Sequence, residues 1–292
     1  MPAVSNRPDK ENPLLHELLA KADRDGYAVP AFNYNDVWDF TAIVAAAEEE
    51  RSPVILMSTP KVVNAIGLDI CGAWGAAAAR KAAVPVVNHL DHSPDIDLCL
   101  RAIDAGYPSV MIDASKLPLE ENIAAVLQVV QYAHERGAHV EAELGRIKGR
   151  DFEGSFEGTD FLVNTAEAVR LVEQTRVDAL AIGIGTAHGF YHGAPELDFK
   201  RLADMNASVS TPLVLHGGTG IPVADIREAI RHGMNKINVG TIIRHTHLTA
   251  LKEELCGTDA LPHTIDLMLR VRPKVMAEVR AWIGACMSNG KA

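Results

Sequence analysis

Three histidines close three separate apolar runs: His92 in NHLDHS, His188 in IGTAHGFY and His216 in LVLHGGTG. Neutral imidazole is the commonest protein ligand for zinc, and a catalytic zinc ion takes three protein ligands with a fourth position left open. Such a triplet, drawn from distant stretches of chain, predicts a metal enzyme rather than a structural zinc module. Acidic and polar groups recur at comparable places. Asp91 precedes His92, Asp113 ends SVMID, Glu141 and Glu143 alternate with Val140, Ala142 and Leu144, and Asn238 lies in KINVGT. Carboxylates rarely sit inside apolar strands without a partner, and a cation would supply one. For each residue alone an ordinary surface or core position is the simpler explanation. Their shared position at strand ends is what points to chemistry.

Two glycine-containing segments suit an anion. Gly217, Gly218 and Gly220 permit positive φ and close approach, so N–H groups near Thr219 can surround a phosphate just before a helix that starts close to Ile221 and Pro222. Asn238 to Thr241 leads into the next helix in the same way. The plainer alternatives are a turn for HGGTG and a strand end for KINVGT.

The elements that must hold these groups alternate. Short β-branched or apolar runs predict strands at 29–33, 53–58, 84–90, 109–113, 139–144, 178–184, 212–216 and 236–240, with amphipathic stretches such as LEENIAAVLQVVQYAHERG between them. Eight such alternations predict an α/β fold of the (β/α)8 TIM-barrel type, the alternative being a doubly wound open sheet. In a TIM barrel the active site forms at the C-terminal ends of the strands, where six of the eight runs carry the polar residues above. Phosphate is often held there by the loops after strands seven and eight. No linker divides the chain, so one domain is expected over residues 1–292. Within it, 1–27 carries a helix that covers the barrel bottom, 28–262 forms the barrel, and 263–292 is an added helical tail suited to a subunit contact.

The 292 residues are 48% apolar and 23% charged, enough for one large core, and the net charge of -10 argues against a nucleic-acid or anionic-membrane surface. The start lacks the apolar core of a signal peptide and no later run could span a bilayer, which predicts a cytoplasmic protein. Cys71, Cys99, Cys256 and Cys286 are widely spaced and are expected to be reduced packing thiols.

At these residues the chain resembles the class II, metal-dependent ketose-bisphosphate aldolases, the fructose- and tagatose-bisphosphate aldolase family. The resemblance is carried by AFNYN at 31–35, HLDH at 89–92, SVMIDAS at 109–115, LPLEENI at 117–123, VEAELG at 140–145, IGTAHGFY at 184–191, LDFKRL at 197–202, PLVLHGGTGIP at 212–222 and KINVGT at 236–241. It implies that His92, His188 and His216 bind a catalytic zinc ion, with Asp113 and Glu143 able to hold a second or displaced divalent metal. It implies Asp91 as the catalytic acid and base. The phosphorylated sugar would be held by Asn35, Ser58, Gly189, Gly217, Gly218, Thr219, Asn238, Val239, Gly240 and Thr241, with a monovalent cation (Na+ or K+) near the phosphate. A homodimer or homotetramer is the family's habit.

The chemistry so implied is retro-aldol cleavage of a ketose 1,6-bisphosphate to dihydroxyacetone phosphate and glyceraldehyde 3-phosphate. Zinc chelated by the C2 carbonyl and C3 hydroxyl oxygens absorbs the enediolate charge, while Asp91 takes the C4 hydroxyl proton. A second base must protonate the enediolate carbon. The loop after VEAELG offers Asp151 first and Glu153 second. The chain departs from the family at Ser93, Lys148, Ile242 and Ile243, where Gly, Gly, Glu and Leu are usual. These departures put the acceptor aldehyde in question and leave open a donor-conserving aldolase with another or non-phosphorylated acceptor. Arg270 and Arg272 in the tail are candidates for a second phosphate. Other classes are a barrel metallohydrolase, which gives no reason for two phosphate loops, and a non-catalytic aldolase-like partner, which gives none for Asp91. A Schiff-base aldolase needs an interior lysine, and Lys236 is expected at the start of strand eight, away from the mouth.

Overall fold

The computed structural model describes residues 15–145, 147–149, 161–191, 193, 195–256 and 261–292. Eight parallel strands close a barrel in the order β1 (Val29–Asn33), β10 (Met234–Val239), β9 (Leu213–Leu215), β7 (Ala179–Ile182), β5 (His139–Leu144), β4 (Ser109–Ile112), β3 (Val86–Ser93) and β2 (Val54–Ser58). The predicted (β/α)8 barrel is the fold that forms. A further two-residue pair, β6 (Lys148–Gly149) with β8 (Ala187–His188), lies outside it.

Both faces of each strand are buried, which is why the strands read as nearly continuous apolar runs. Phe32, Leu56, Leu90, Val110, Val140, Leu180, Leu215 and Val239 face outward into one large cluster shared with the helices. Inward-facing Val29, Ala31, Ile55, Met57, Val87, Ala179, Ala181 and Val214 form a second cluster with Leu15, Leu18, Leu19 and Ala22 of α1 (Leu15–Asp25). The lower half of the barrel is thus filled largely by apolar side chains and covered by α1, with the His16–His139 contact beside them, and the large cavity opens at the other end.

The connecting helices are α2 (Val37–Glu50), α3 (Pro60–Ile66), α4 (Leu68–Lys81), α5 (Ile96–Asp104), α6 (Leu119–His134), α7 (Thr165–Thr175), α8 (Phe199–Ser208), α9 (Val223–Arg231) and α10 (Thr241–Cys256). Caps set their starts: Asp36, Asp95, Asn164 and Asp198 each accept backbone N–H bonds from the first turn that follows. The tail forms α11 (Thr264–Ala285), which packs on α2 and α10 and carries Pro273 within it. Cys71, Cys99, Cys256 and Cys286 are all free thiols. Among the described residues no single helix is long and apolar enough to cross a membrane.

Two strand boundaries differ from the sequence expectation in a way that matters. β3 runs on to Ser93 instead of ending at Leu90, and β10 begins at Met234, which carries Lys236 into the barrel interior.

Candidate active site at the barrel mouth

The extension of β3 contains a bulge. Its register to β4 pairs Leu90 with Val110 but Ser93 with Ile112, so β3 has one residue more than its neighbour over the same span. Plain alternation would send Asp91 inward and His92 outward. The extra residue, with His92 in the left-handed region at φ 49°, turns both side chains toward the barrel axis. A β-strand residue held at positive φ carries strain of about 1–3 kcal/mol, a cost that clusters at functional sites.

His92 meets His188 from β8 and His216, which follows β9. The ring centroids lie 4.8 Å apart for His92 and His188, and 4.5 Å for His92 and His216. One nitrogen from each ring comes within 4.8 Å of the other two. His216 Nδ1 is 2.7 Å from His92 Nε2, closer than the roughly 3.4 Å that two nitrogens keep when both bind tetrahedral zinc at about 2.05 Å. A small parting of the two rings would admit the ion, so the donor set fits. Burial, then the neighbouring His92, pushes His216 well below the ordinary imidazole range, which keeps the ring neutral as a ligand must be.

The carboxylates lie around this triplet. Asp91 accepts from Asn33 Nδ2 at 2.8 Å and from Asn238 Nδ2 at 3.4 Å, and is almost fully buried. Asp113 sits behind His92, its Oδ2 3.1 Å from Nδ1 of that ring, and Glu143 Oε2 is 3.9 Å from the same nitrogen. Burial raises the Asp113 carboxyl, but His92 and two bonds from Ser115 outweigh it and hold the group well below the usual carboxylate range. His92, Asp113 and Glu143 form a second group with metal-ligand spacing. Glu141 lies deeper than Glu143 on the same face of β5 and is fully buried against His216 and Lys236.

A cavity of about 320 Å³ opens above the histidines. Asn35, Asp91, His92, His188, Gly189 and His216 line one part of its wall, and Gly217, Thr219, Asn238, Gly240 and Thr241 another. The two glycine-bearing loops are stitched together: Gly218 N donates to Asn238 O at 3.0 Å, and Ile242 N to Thr219 Oγ1 at 3.2 Å. Gly217, at φ 72°, lies so close to Ala187 that a Cβ would stand 2.3 Å from its carbonyl oxygen. The N-terminus of α10 opens onto the same cavity, where the positive end of its helix dipole favours an anion.

Not every candidate comes to this cavity. Ser58 faces outward and is fully buried, its hydroxyl 2.8 Å from Tyr107 OH. Val239 belongs to the outer cluster, and the Gly218 amide is committed to Asn238. Arg270 pairs with Glu254 on the outer helices, and Arg272 donates to Thr41 O beside α2. Asp151 and Glu153 lie outside the described residues. Conversely, Asn33, Lys61 and Arg244 line the cavity without having been singled out. Asn33 was within reach of period-two alternation, since it shares the inward parity of Val29 and Ala31. Lys61 and Arg244 occupy first turns of helices, where spacing alone gives no signal.

The chain is similar to known proteins over most of its length. The sequence profile of class-II fructose-bisphosphate aldolase matches residues 14–291. A Staphylococcus epidermidis protein named fructose-bisphosphate aldolase is 41% identical over 244 residues, covering 82% of this chain and 85% of its own length. The crystal structure of the YdjI aldolase from Escherichia coli K12 superposes with a TM-score of 0.84 at 31% identity, covering 95% of this chain and 98% of that one. A candidate fructose-1,6-bisphosphate aldolase from Coccidioides immitis gives a TM-score of 0.88 at 30% identity, covering 96% and 98%.

Proposed function

The chain belongs to the class-II fructose-bisphosphate aldolase family, and from that premise we propose that it is a zinc-dependent lyase that reversibly cleaves a ketose 1,6-bisphosphate of the fructose or tagatose type. The products are dihydroxyacetone phosphate and glyceraldehyde 3-phosphate. The observation that carries the proposal is the convergence of three imidazoles and one nearly buried carboxylate, Asp91, on a cavity walled by two glycine-bearing loops.

In this reading His92, His188 and His216 hold the zinc ion, and Asp113 with Glu143 can take a second or displaced divalent cation. When bound, zinc supplies Lewis acidity toward the ketone and toward the negative charge that cleavage develops. Asp91 takes the C4 hydroxyl proton in cleavage and returns it in condensation, and the amides of Asn33 and Asn238 keep its carboxylate turned toward that position. Gly217, Thr219, Gly240 and Thr241 receive the donor phosphate at the start of α10, with a monovalent cation beside it. Arg244 and Lys61 add positive charge at the same cavity, which lets an anionic sugar approach a protein of net charge -10. Asp151, or else Glu153, protonates the enediolate carbon. Exposed Ile265 and Leu269 on α11 support assembly as a homodimer or homotetramer.

The test joins metal analysis to aldol-cleavage assays on fructose and tagatose 1,6-bisphosphates and a panel of ketose 1-phosphates, with and without a chelator. The proposal expects about one tightly held zinc per chain and chelator-sensitive cleavage of one bisphosphate epimer. Cleavage that survives complete metal removal would refute it, and preference for a ketose 1-phosphate would replace the acceptor.

A further inference from the structure

Beneath the three histidines lies a charged pair that the proposed cleavage does not use. Lys236 Nζ is 2.5 Å from Glu141 Oε2, both side chains are fully buried, and the other carboxylate oxygen, Oε1, is 2.7 Å from His216 Nε2. We infer that Glu141 and Lys236 are positioning residues that fix the ring of His216 in its Nε2–H form, so that Nδ1 presents a lone pair to the zinc ion. This rests on the zinc site proposed above.

The chain of reasons is geometric. A carboxylate only accepts hydrogen bonds, so the hydrogen shared between Glu141 and His216 belongs to Nε2. The other polar neighbour of that nitrogen is Asn238 Nδ2 at 3.1 Å, a donor that competes for the same nitrogen, but the carboxylate is closer at 2.7 Å and the amide has Asp91 to donate to. Nδ1 is therefore the unprotonated nitrogen, and it is the one that faces His92 Nε2. His92 is arranged in the opposite sense: its Nδ1 lies on Asp113, which leaves Nε2 for the ion. Two ligands thus bind through different ring nitrogens, each chosen by its own carboxylate.

Lys236 completes the arrangement. Its ammonium also approaches His89 Nε2 at 3.4 Å, and His89 Nδ1 lies 2.7 Å from Ser109 Oγ, so the pair is anchored across the barrel to β3 and β4. A buried ion pair adds little net stability compared with apolar side chains of similar size. Orientation of a metal ligand accounts for its placement directly below His216, and outer partners of this kind typically govern metal affinity by about 10- to 100-fold. The same bond commits the interior lysine, which does not line the cavity, to Glu141 rather than to a substrate carbonyl.

Three measurements decide the matter. In the metal-free wild type at pH 8, imidazole ¹⁵N spectra, with His216 assigned by its loss in His216→Asn, should show an Nε2–H tautomer. An Nδ1–H tautomer would overturn the inference whether or not zinc binds. Zinc competition against a chromophoric chelator should then show an affinity 10- to 100-fold weaker in Glu141→Leu/Lys236→Met, with most of it restored in Glu141→Gln/Lys236→Met, whose amide oxygen can still accept from Nε2–H. Cobalt(II) ligand-field bands should shift in the first variant and return toward wild type in the second. Affinity within about twofold of wild type in the apolar pair would overturn the positioning role. Absence of zinc binding in the wild type would instead remove the functional reading, leaving the tautomer spectrum to judge the Glu141 contact by itself.

Discussion

Replacing Gly217 by alanine separates the geometry of the site from ordinary backbone strain. At φ 72° the new residue adopts a left-handed conformation, which costs an L-residue about 1–2 kcal/mol wherever it occurs. Gly106→Ala is the matched control: its φ is 89° and a Cβ there meets nothing within 4 Å. At Gly217 the Cβ would stand 2.3 Å from Ala187 O and 2.7 Å from Ala187 C, about 1.1 Å short of the 3.4 Å at which ordinary contact begins. Neither atom is a side chain that can swing aside. Ala187 N is also tied through Tyr191 OH to Gly217 O, at 2.9 Å on each side, so the two segments cannot part without breaking that bridge. The residue displaced next is His188. A displacement of about 1 Å at a reacting centre costs on the order of 100-fold in rate. Gly217→Ala should therefore lose at least that factor in aldol-cleavage kcat and bind zinc more weakly, whereas Gly106→Ala should lose only the stability that the left-handed backbone costs and keep its activity. Equal activity in the two variants would refute the contact between the glycine loop and the His188 segment.

The other perturbations test single side chains. Asp91→Asn keeps the shape of the group but removes its basicity, so kcat should fall about 10²- to 10⁴-fold with zinc content unchanged; a near-normal kcat would take Asp91 out of proton transfer. Ser58→Ala removes a hydroxyl partner of buried Tyr107 and should cost about 1 kcal/mol in urea unfolding, with KM unaltered. A raised KM would mean that Ser58 reaches the substrate after all. His247, bonded to buried Asp39, is held above its ordinary value of 6.5, first by that hydrogen bond and against the opposing effect of burial. A raised folded-state pKa stabilises fully below 6.5 and is lost as pH rises through the folded value. The stability gap between wild type and His247→Asn should thus be widest in mildly acidic solution and shrink toward alkaline pH, as read from urea midpoints; a gap that grows with pH would contradict the pairing.

The barrel was legible because its strands are buried on both faces and separated by capped helices, a pattern that survives without any tertiary information. The candidate site residues stood out for a related reason, since imidazoles and carboxylates at strand ends contrast with apolar runs. What alternation could not supply was its own interruption. The β3 bulge brings Asp91 and His92 to the same side, and only the register to β4 reveals it. Parity also explains Ser58, which closes a run whose even-numbered members all face the helices, and the outward placement of Val239. Depth along a strand was equally hidden. Glu141 and Glu143 share a face, but two residues of rise, about 6.6 Å, separate a carboxylate beside His92 from one sunk beneath His216. Lys236 lies away from the cavity as expected, but β10 starts two residues before it, which sets the lysine inside the wall rather than at its foot.

That depth explains how one short stack of layers can hold opposed demands. The floor, from Leu15 and Leu19 up to Met57 and Val214, is a buried apolar cluster with the His16–His139 contact beside it. On it rest Glu141, Lys236, His89 and Ser109, whose polar atoms are linked to one another or to His216. A charge in that layer has no water with which to compromise, so its partners are held at short range and in fixed directions. The layer above is different. His92, His188 and Asp91 line the cavity, with Asp113 behind His92 and the two asparagine amides behind Asp91. A bonded layer below and a cavity above are what a site needs if it is to accept an ion and a phosphorylated sugar without first rebuilding itself. A substitution in the buried charged layer should therefore act on how well the mouth residues are aimed, and one at the mouth on what they bind, even where the two side chains lie on the same strand.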